Sequence, residues 1–240
     1  DEEYCFVDDL SEQNTCGLSV SVGNGLSYLP EASGLFLDSA RYGDGNVALV
    51  WYDHTRGNLI FADSNGGHFS SSDWRIIDGE VADGDDEDTE PDDTGDMGWY
   101  SALTIDDEGG VHVTYVDATH DDLIYQNLET GERMIVDSGM RDIGGASLMV
   151  MVGDDSDLLV SPDGTLKLVY MDSTQHLALL STLGSDGAWS EPEVLFGGEG
   201  LSAAYGFYLA LVAVGDEAVV LSYLIDSQSA LREVVSRTLP

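Results

Sequence analysis

Lysine is nearly missing from this 240-residue chain, with Lys167 the only one. Basic residues total 8 against 46 acidic ones, for a formal net charge of −38. Binding phosphate takes Lys and Arg to displace counterions, so nucleic acid and anionic lipid are excluded as partners and cations are the expected opposite. Cysteine is scarce too: Cys5 and Cys16 stand alone. An even pair at close spacing reads as a disulfide, which implies an oxidising compartment and a secreted or cell-surface protein. The alternative is two free buried thiols. No His/Cys cluster offers a zinc site. Long apolar runs are absent; Leu209–Val214 is among the longest and falls far short of the ~18–20 residues that cross a bilayer, so no membrane insertion is expected. No segment has a convincing helical period. No G-x-S-x-G, H-E-x-x-H or phosphate loop occurs. No signal peptide stands at the start, and the opening on Asp1 rather than Met reads as a processed or excised piece of a larger chain.

What is present is a repeat. Residues 46–62, 110–126, 165–180 and 218–234 each carry an alternating apolar strand that ends in aspartate: Asp53, Asp117, Asp172 and Asp226. A hydroxyl or amide follows at Thr55, Thr119, Thr174 and Gln228, then a leucine opens the next strand at Leu59, Leu123, Leu177 and Leu231. The aspartates are 64, 55 and 54 residues apart, a period that marks an array of similar units. Gly/Asp turns precede each aspartate strand, further strands lie on either side, and every unit reads as four short antiparallel strands, a to d.

Four-stranded units at this spacing predict an all-β chain folded as a β-propeller, with four blades as the first choice and five as the second. The whole of 1–240 is one domain, with blades at 34–78, 99–137, 150–196 and 206–236. The last unit stops at strand c, and residues 18–22 supply the missing d strand, so pairing of the N- and C-terminal strands closes the ring. Residues 1–24 form a hairpin and closing strand tied by Cys5 and Cys16; residues 79–98 are an acidic insertion between blades.

Trp99-Tyr100-Ser101-Ala102-Leu103-Thr104-Ile105-Asp106, followed by His112, Tyr115, Asp117, Thr119, Asp122, Leu123 and Tyr125, resembles a repeat of secreted bacterial proteins, Y-T-S-L-A-L-D then H-I-x-Y-Y-D-x-T-x-x-D-L-x-Y-A. The resemblance is closest over 95–128. It implies a propeller and a surface or secreted setting, and no enzyme activity. The sialidase box is approached at 161–164 and 185–189 and missed at both.

Residues repeated in every blade serve the blade. The four aspartates are therefore expected to accept backbone amides in Asx-turns, and function is expected where the repeat is broken. The largest break is Glu80–Gly98, with ten acidic residues between 80 and 96 and no basic one. Asp83, Asp85 and Asp88 are its candidate Ca²⁺ ligands, although the EF-hand spacing fails and a flexible acidic loop explains it as well. Connections d–a and b–c emerge on one face, which should be strongly negative. His54, His120 and His176 fall in turns of that face at unequal offsets and are expected to be turn residues. Trp99, Tyr100, Tyr205 and Tyr208 enter strands beside it and are candidate glycan platforms, with ordinary blade packing as the alternative. The leading expectation is a non-catalytic secreted or surface scaffold that binds glycan or another surface protein through an acidic, Ca²⁺-accepting face. The alternative is a glycoside-acting hydrolase with paired carboxylates. The cation expectation predicts that millimolar Ca²⁺ raises the melting temperature and that EDTA reverses the rise; unchanged melting curves refute it.

Overall fold

A computed structural model describes residues 22–23, 26–27, 33–43, 45–64, 66, 68–69, 73–79, 96–161, 163–198, 203–226 and 231–239. Every regular element among them is a strand, and all pairings are antiparallel. A short hairpin joins β1 (Val22–Gly23) to β2 (Leu26–Ser27). The first sheet runs β3 (Ser33–Tyr42), β4 (Asn46–Asp53), β5 (Asn58–Asp63), β6 (Trp74–Asp78), and the second β7 (Met97–Ile105), β8 (Val111–Asp117), β9 (Asp122–Asn127), β10 (Arg133–Asp137). A hairpin of β11 (Met140–Ile143) and β12 (Ala146–Met149) leads to the third sheet. That sheet is β13 (Val152–Val160), β14 (Leu166–Asp172), β15 (Leu177–Thr182) and β16 (Glu193–Phe196). The fourth has three described strands, β17 (Ala203–Val214), β18 (Glu217–Asp226) and β19 (Leu231–Leu239). Cys5, Cys16, the acidic residues Asp83, Asp85 and Asp88, and closure of a ring by residues 18–21 lie outside the described residues; Val22 pairs with Ser27.

Alternation in the strands decides what each sheet buries. In β4, Ala48, Val50 and Tyr52 are at most 1% exposed, and Ala48 and Val50 pack with Leu59 and Phe61 against Met97, Leu103, Val113 and Tyr115 of the second sheet. The same face-to-face seam recurs between the second and third sheets, through Leu123, Tyr125, Leu168 and Tyr170, and between the third and fourth, through Val169, Leu180, Leu211 and Val220.

The first strand of each sheet carries the same backbone device. Gly34, Gly98, Gly153 and Gly206 have φ of 93°, 117°, 92° and 98°. Two residues on, Phe36, Tyr100, Asp155 and Tyr208 have φ of 49° to 51°, a conformation that L residues rarely adopt. Pairing with the second strand slips at this point in all four sheets, between Leu35 and Asp38, Trp99 and Ala102, Asp154 and Asp157, and Phe207 and Ala210. The glycine is needed for closeness as well as dihedral. A Cβ on Gly153 would stand 2.5 Å from Val116 Cγ2 and 3.0 Å from Leu123 Cδ1, and one on Gly98 would stand 3.1 Å from Leu59. Leu59 and Leu123, at the start of the third strands of the first two sheets, are thus part of the seat for the glycine of the next sheet, while a Cβ on Gly206 would stand 2.6 Å from Met171 Cγ and one on Gly34 would meet open space.

Polar ties cross the same seams. Asp38 Oδ2 accepts Leu103 N–H at 2.7 Å, and Asp157 Oδ2 accepts Leu211 N–H at 2.6 Å. Ser101 Oγ donates to Phe36 O at 2.6 Å and Ser156 Oγ to Tyr100 O at 2.9 Å. At the outer side, Tyr115 OH donates to Asp78, which also takes Arg133 Nε at 2.9 Å. Tyr170 OH donates to Asp137 at 2.9 Å, and Arg141 closes a two-pronged pair on the same carboxylate at 2.8 and 2.6 Å. The Asp106–His112–Tyr125 positions of the repeat make one chain: His112 meets Asp106 at 3.1 Å and Tyr125 OH at 2.7 Å.

Asp53, Asp117 and Asp172 are nearly fully buried. Asp53 Oδ1 accepts Thr55 N–H at 3.1 Å and Asp117 Oδ1 accepts Thr119 N–H at 2.9 Å, while Asp172 Oδ1 takes Gln175 N–H at 2.8 Å. Asp226 ends β18, its side chain outside the described ones.

Two outcomes test this account. Gly153→Ala should destabilise the fold by about 2–4 kcal/mol, through strain and overpacking. Gly164→Ala, at an open turn with φ of 82°, should cost about 1 kcal/mol by strain alone. Equal losses in urea unfolding would refute the close approach. Burial, with the charge of Asp38 adding to it, pushes the Asp157 carboxyl up to about 6 against the opposing amides of Leu211 and Leu158. A raised folded-state value means stability that is complete below the ordinary 3.8 and is lost as pH rises through about 6. Wild type should therefore be more stable at pH 5 than at pH 7, with Asp157 supplying about 1 kcal/mol of that difference. The pH dependence should shrink in Asp157→Asn, and an unchanged slope would sink the assignment.

Candidate functional site

Connections and turns collect on one face. Within the second sheet, Ala118 N–H donates to Asp96 O at 2.8 Å and Asp96 N–H to Thr119 Oγ1 at 2.8 Å. In the third sheet, Ser173 N–H donates to Met151 O at 3.0 Å and Met151 N–H to Thr174 Oγ1 at 2.9 Å. The threonine after the repeat aspartate therefore holds the entry of the first strand. The inner-strand bulges begin just inside this rim.

Comparing the four bulges shows one exception. They read Gly34-Leu35-Phe36-Leu37-Asp38, Gly98-Trp99-Tyr100-Ser101-Ala102, Gly153-Asp154-Asp155-Ser156-Asp157 and Gly206-Phe207-Tyr208-Leu209-Ala210. Three sheets place a large apolar or aromatic residue at the second position and an aromatic ring at the strained third. The third sheet puts Asp154 and Asp155 there. Asp38 and Asp157 share a position in alternate sheets and spend their oxygens on amides: Asp38 on Ser39 and Leu103, Asp157 on Leu158 and Leu211. They are ties between strands. Asp154 and Asp155 are the break in the pattern.

The surroundings of these two carboxyls differ. Burial raises both. The charges of Asp155 and Asp121 push Asp154 further up, against a hydrogen bond from the Ser173 hydroxyl. Asp155 is opposed in its rise by Tyr208 N–H, which donates to Oδ2 at 3.1 Å. Tyr100 is raised by burial and then by Asp154 and Asp155, so its hydroxyl stays protonated beside them. Aromatic rings stand around the pair. Phe36 lies 4.4 Å from Tyr100 and 6.2 Å from Trp99, centroid to centroid, and Tyr208 is 68% exposed.

Asp154 also lines a cavity of about 340 Å³ in the seam between the second and third sheets, with Asp96, Trp99, Asp121 and Met151. Between the first and second sheets the corresponding space holds rings: Tyr52 stands 6.1 Å from both Phe36 and Trp99. A short carboxylate in place of a ring leaves the hole.

Of the residues singled out in the sequence, Trp99 and Tyr100 meet at this site. Tyr205 does not; it stacks on Phe196 at 6.0 Å, and its N–H donates to His176 O at 3.3 Å, in the seam of the third and fourth sheets. The three turn histidines stay apart: His120 pairs with Asp117 at 2.8 Å, His54 with Tyr52 OH at 3.2 Å, and His176 is at φ 60° in its own turn. Among the described residues no group of three or more His, Cys, Asp or Glu is placed to hold a metal, and no helix is long and apolar enough to cross a membrane.

Asp154, Asp155 and Asp157 escape the sequence reading because Gly139–Asp157 reads as a connection. Three carboxylates in four residues do not resemble a strand, yet residues 152–157 open β13. The available signal was the register of Gly153-x-x-Ser156 on Gly98-x-x-Ser101.

No protein-family model and no curated protein matches the chain. Solved structures do. An α-L-arabinanase of Penicillium chrysogenum, complexed with arabinobiose, matches with a TM-score of 0.57 at 10% identity over 86% of this chain and 62% of that one. The α-L-arabinofuranosidase Arb93A of Fusarium graminearum, complexed with an iminosugar inhibitor, matches with a TM-score of 0.50 at 12% identity over 86% and 66%. An endo-arabinase of Bacteroides thetaiotaomicron gives 0.47 at 15% identity over 85% and 74%. The chain spans less than two thirds of the arabinanase. These likenesses bear on fold: an all-β array of antiparallel four-stranded sheets of the propeller type. The expectation of a non-catalytic binding or scaffold protein is corrected by the two structures with TM-scores of 0.50 and 0.57, an α-L-arabinofuranosidase and an α-L-arabinanase, which stand with its alternative.

Proposed function

We propose that the chain is a glycoside-acting propeller, a hydrolase of neutral glycans, with its chemistry at Asp154 and Asp155. The observation that carries this reading is the third inner strand. Four sheets share one strained bulge, and one of them alone puts adjacent carboxylates where the others put rings. Glycoside hydrolysis asks for two carboxyls in unlike surroundings, one protonated and one charged. Asp154, with Asp155 and Asp121 adding to burial, is the acid; it gives its proton to the glycosidic oxygen as the C–O bond breaks. Asp155, supported by Tyr208 N–H, is the carboxylate that faces the developing positive charge. One water is consumed and its remaining proton restores the acid. Tyr100, Phe36 and Tyr208 offer ring faces on which a sugar stacks. The four sheets are the blades of one propeller. The arabinanase and arabinofuranosidase that share the fold make arabinose-linked substrates the first to try.

Release of p-nitrophenol from p-nitrophenyl α-L-arabinofuranoside, and of reducing ends from linear arabinan, should be detectable with wild type. Asp155→Asn should lower kcat by at least ~10³-fold at unchanged melting temperature, the order expected for loss of an essential carboxylate. Asp63→Asn, at the end of β5 and away from the third sheet, should leave turnover in place. No turnover of any neutral glycoside by wild type, or equal turnover by Asp155→Asn, rejects the proposal.

A further inference from the structure

We infer that the cavity beside Trp99 is a second sugar subsite, so that the substrate is a neutral oligosaccharide with one residue lodged between the second and third sheets and the bond to be cut at Asp154. The inference rests on the proposed glycosidase reading and names the substrate class of that same site.

The cavity is built by the same departure that marks the carboxylates. At the second bulge position Leu35, Trp99 and Phe207 carry apolar bulk; Asp154 carries none. The resulting space, about 340 Å³, has the size of a small ligand cleft and opens at the residue assigned as the acid. Its walls are of two kinds. Trp99, Val116, Val152 and Met151 are apolar, and Asp96, Asp121 and Asp154 bring carboxylates. Asp96 is fixed by the Tyr52 hydroxyl, which donates to Oδ1 at 2.5 Å, and its N–H by Thr119. Asp121 is held at φ 59° in the turn after β8. Trp99 is fixed from behind by Phe36 and Tyr52. A rigid indole beside fixed acceptors fits a ligand that has apolar C–H faces and hydroxyl donors, which is a neutral sugar. Among the described residues no Lys or Arg lines the cavity, so none of them compensates a carboxylate on the ligand, and uronic acids are rejected. Asp154 belongs to both the cavity and the carboxylate pair, so a sugar in the cavity is joined across the acid to its neighbour.

The test compares substrates of different length. Hydrolysis of arabinotriose and of p-nitrophenyl α-L-arabinofuranoside is measured for wild type, Trp99→Ala and Asp121→Asn, and the ratio of the two kcat/KM values is the readout. Both substitutions should lower the ratio of trisaccharide to monosaccharide glycoside about tenfold, the scale of a lost stacking or hydrogen-bonding contact. Asp121→Asn keeps the inference open to test should Trp99→Ala fail to fold. Calorimetric binding of arabinotriose and of trigalacturonate to the Asp155→Asn protein is the second arm. Binding of the neutral trimer, lost with Trp99, and none of the acidic one is expected. A ratio unchanged in both variants, or equal binding of trigalacturonate, overturns the subsite while leaving turnover intact. Absence of turnover with arabinotriose still bound at Trp99 would strike the enzyme reading instead.

Discussion

A glycine on the first strand of the second and third sheets lies against the leucine at the start of the third strand of the sheet before it, and much of the arrangement follows from that approach. Gly98 on Leu59 and Gly153 on Leu123 leave no room for a methyl group. The backbone reaches this closeness with positive φ, and two residues later it must turn again, at Tyr100 and Asp155. The pairing slips, the strand bends, and the residues at the bend are carried to the rim instead of into the seam. Apolar burial between sheets supplies the driving force, and the glycine fixes how near the sheets come.

Carboxylates divide accordingly into two populations. Those that repeat act on the backbone or on arginine: Asp53, Asp117 and Asp172 in turns, Asp78 and Asp137 under tyrosines, Asp38 and Asp157 on the amides of the next strand. Their burial is compensated by donors. Asp154 and Asp155 have fewer backbone donors, and Asp154 also feels the charges of Asp155 and Asp121, an arrangement that costs stability and is kept where chemistry needs it. Arg56, Arg133, Arg141 and Arg237 are each paired with a carboxylate, Arg56 with Asp53 in a turn of the rim itself.

Much of the fold was legible because the repeat is written twice over. The aspartate recurs with a hydroxyl or amide two residues on and a leucine five or six residues on, and strand alternation marks the second strands. The first strands were harder. Their slip breaks the two-residue period, and in β13 charge hides the strand altogether. The candidate site was legible in principle, since breaks in a repeat are where to look, but the eye goes first to the long acidic stretch at 80–96. The informative break is shorter: two aspartates aligned with Trp99 and Tyr100. Tyr205 misled because it stands at the head of its strand, before the glycine; the exposed ring is Tyr208, two residues after it.

The bulge has a consequence for how such a molecule changes over time. Its strain and its hydrogen bonds are set by the backbone and by flanking Gly, Ser and Asp residues, so the side chain at the turned position is free to vary. Phe36, Tyr100, Asp155 and Tyr208 occupy one conformation with three different chemistries. The scaffold thus offers several equivalent sockets around a shared centre, and a single codon change in one of them installs or removes a reactive group without disturbing the others.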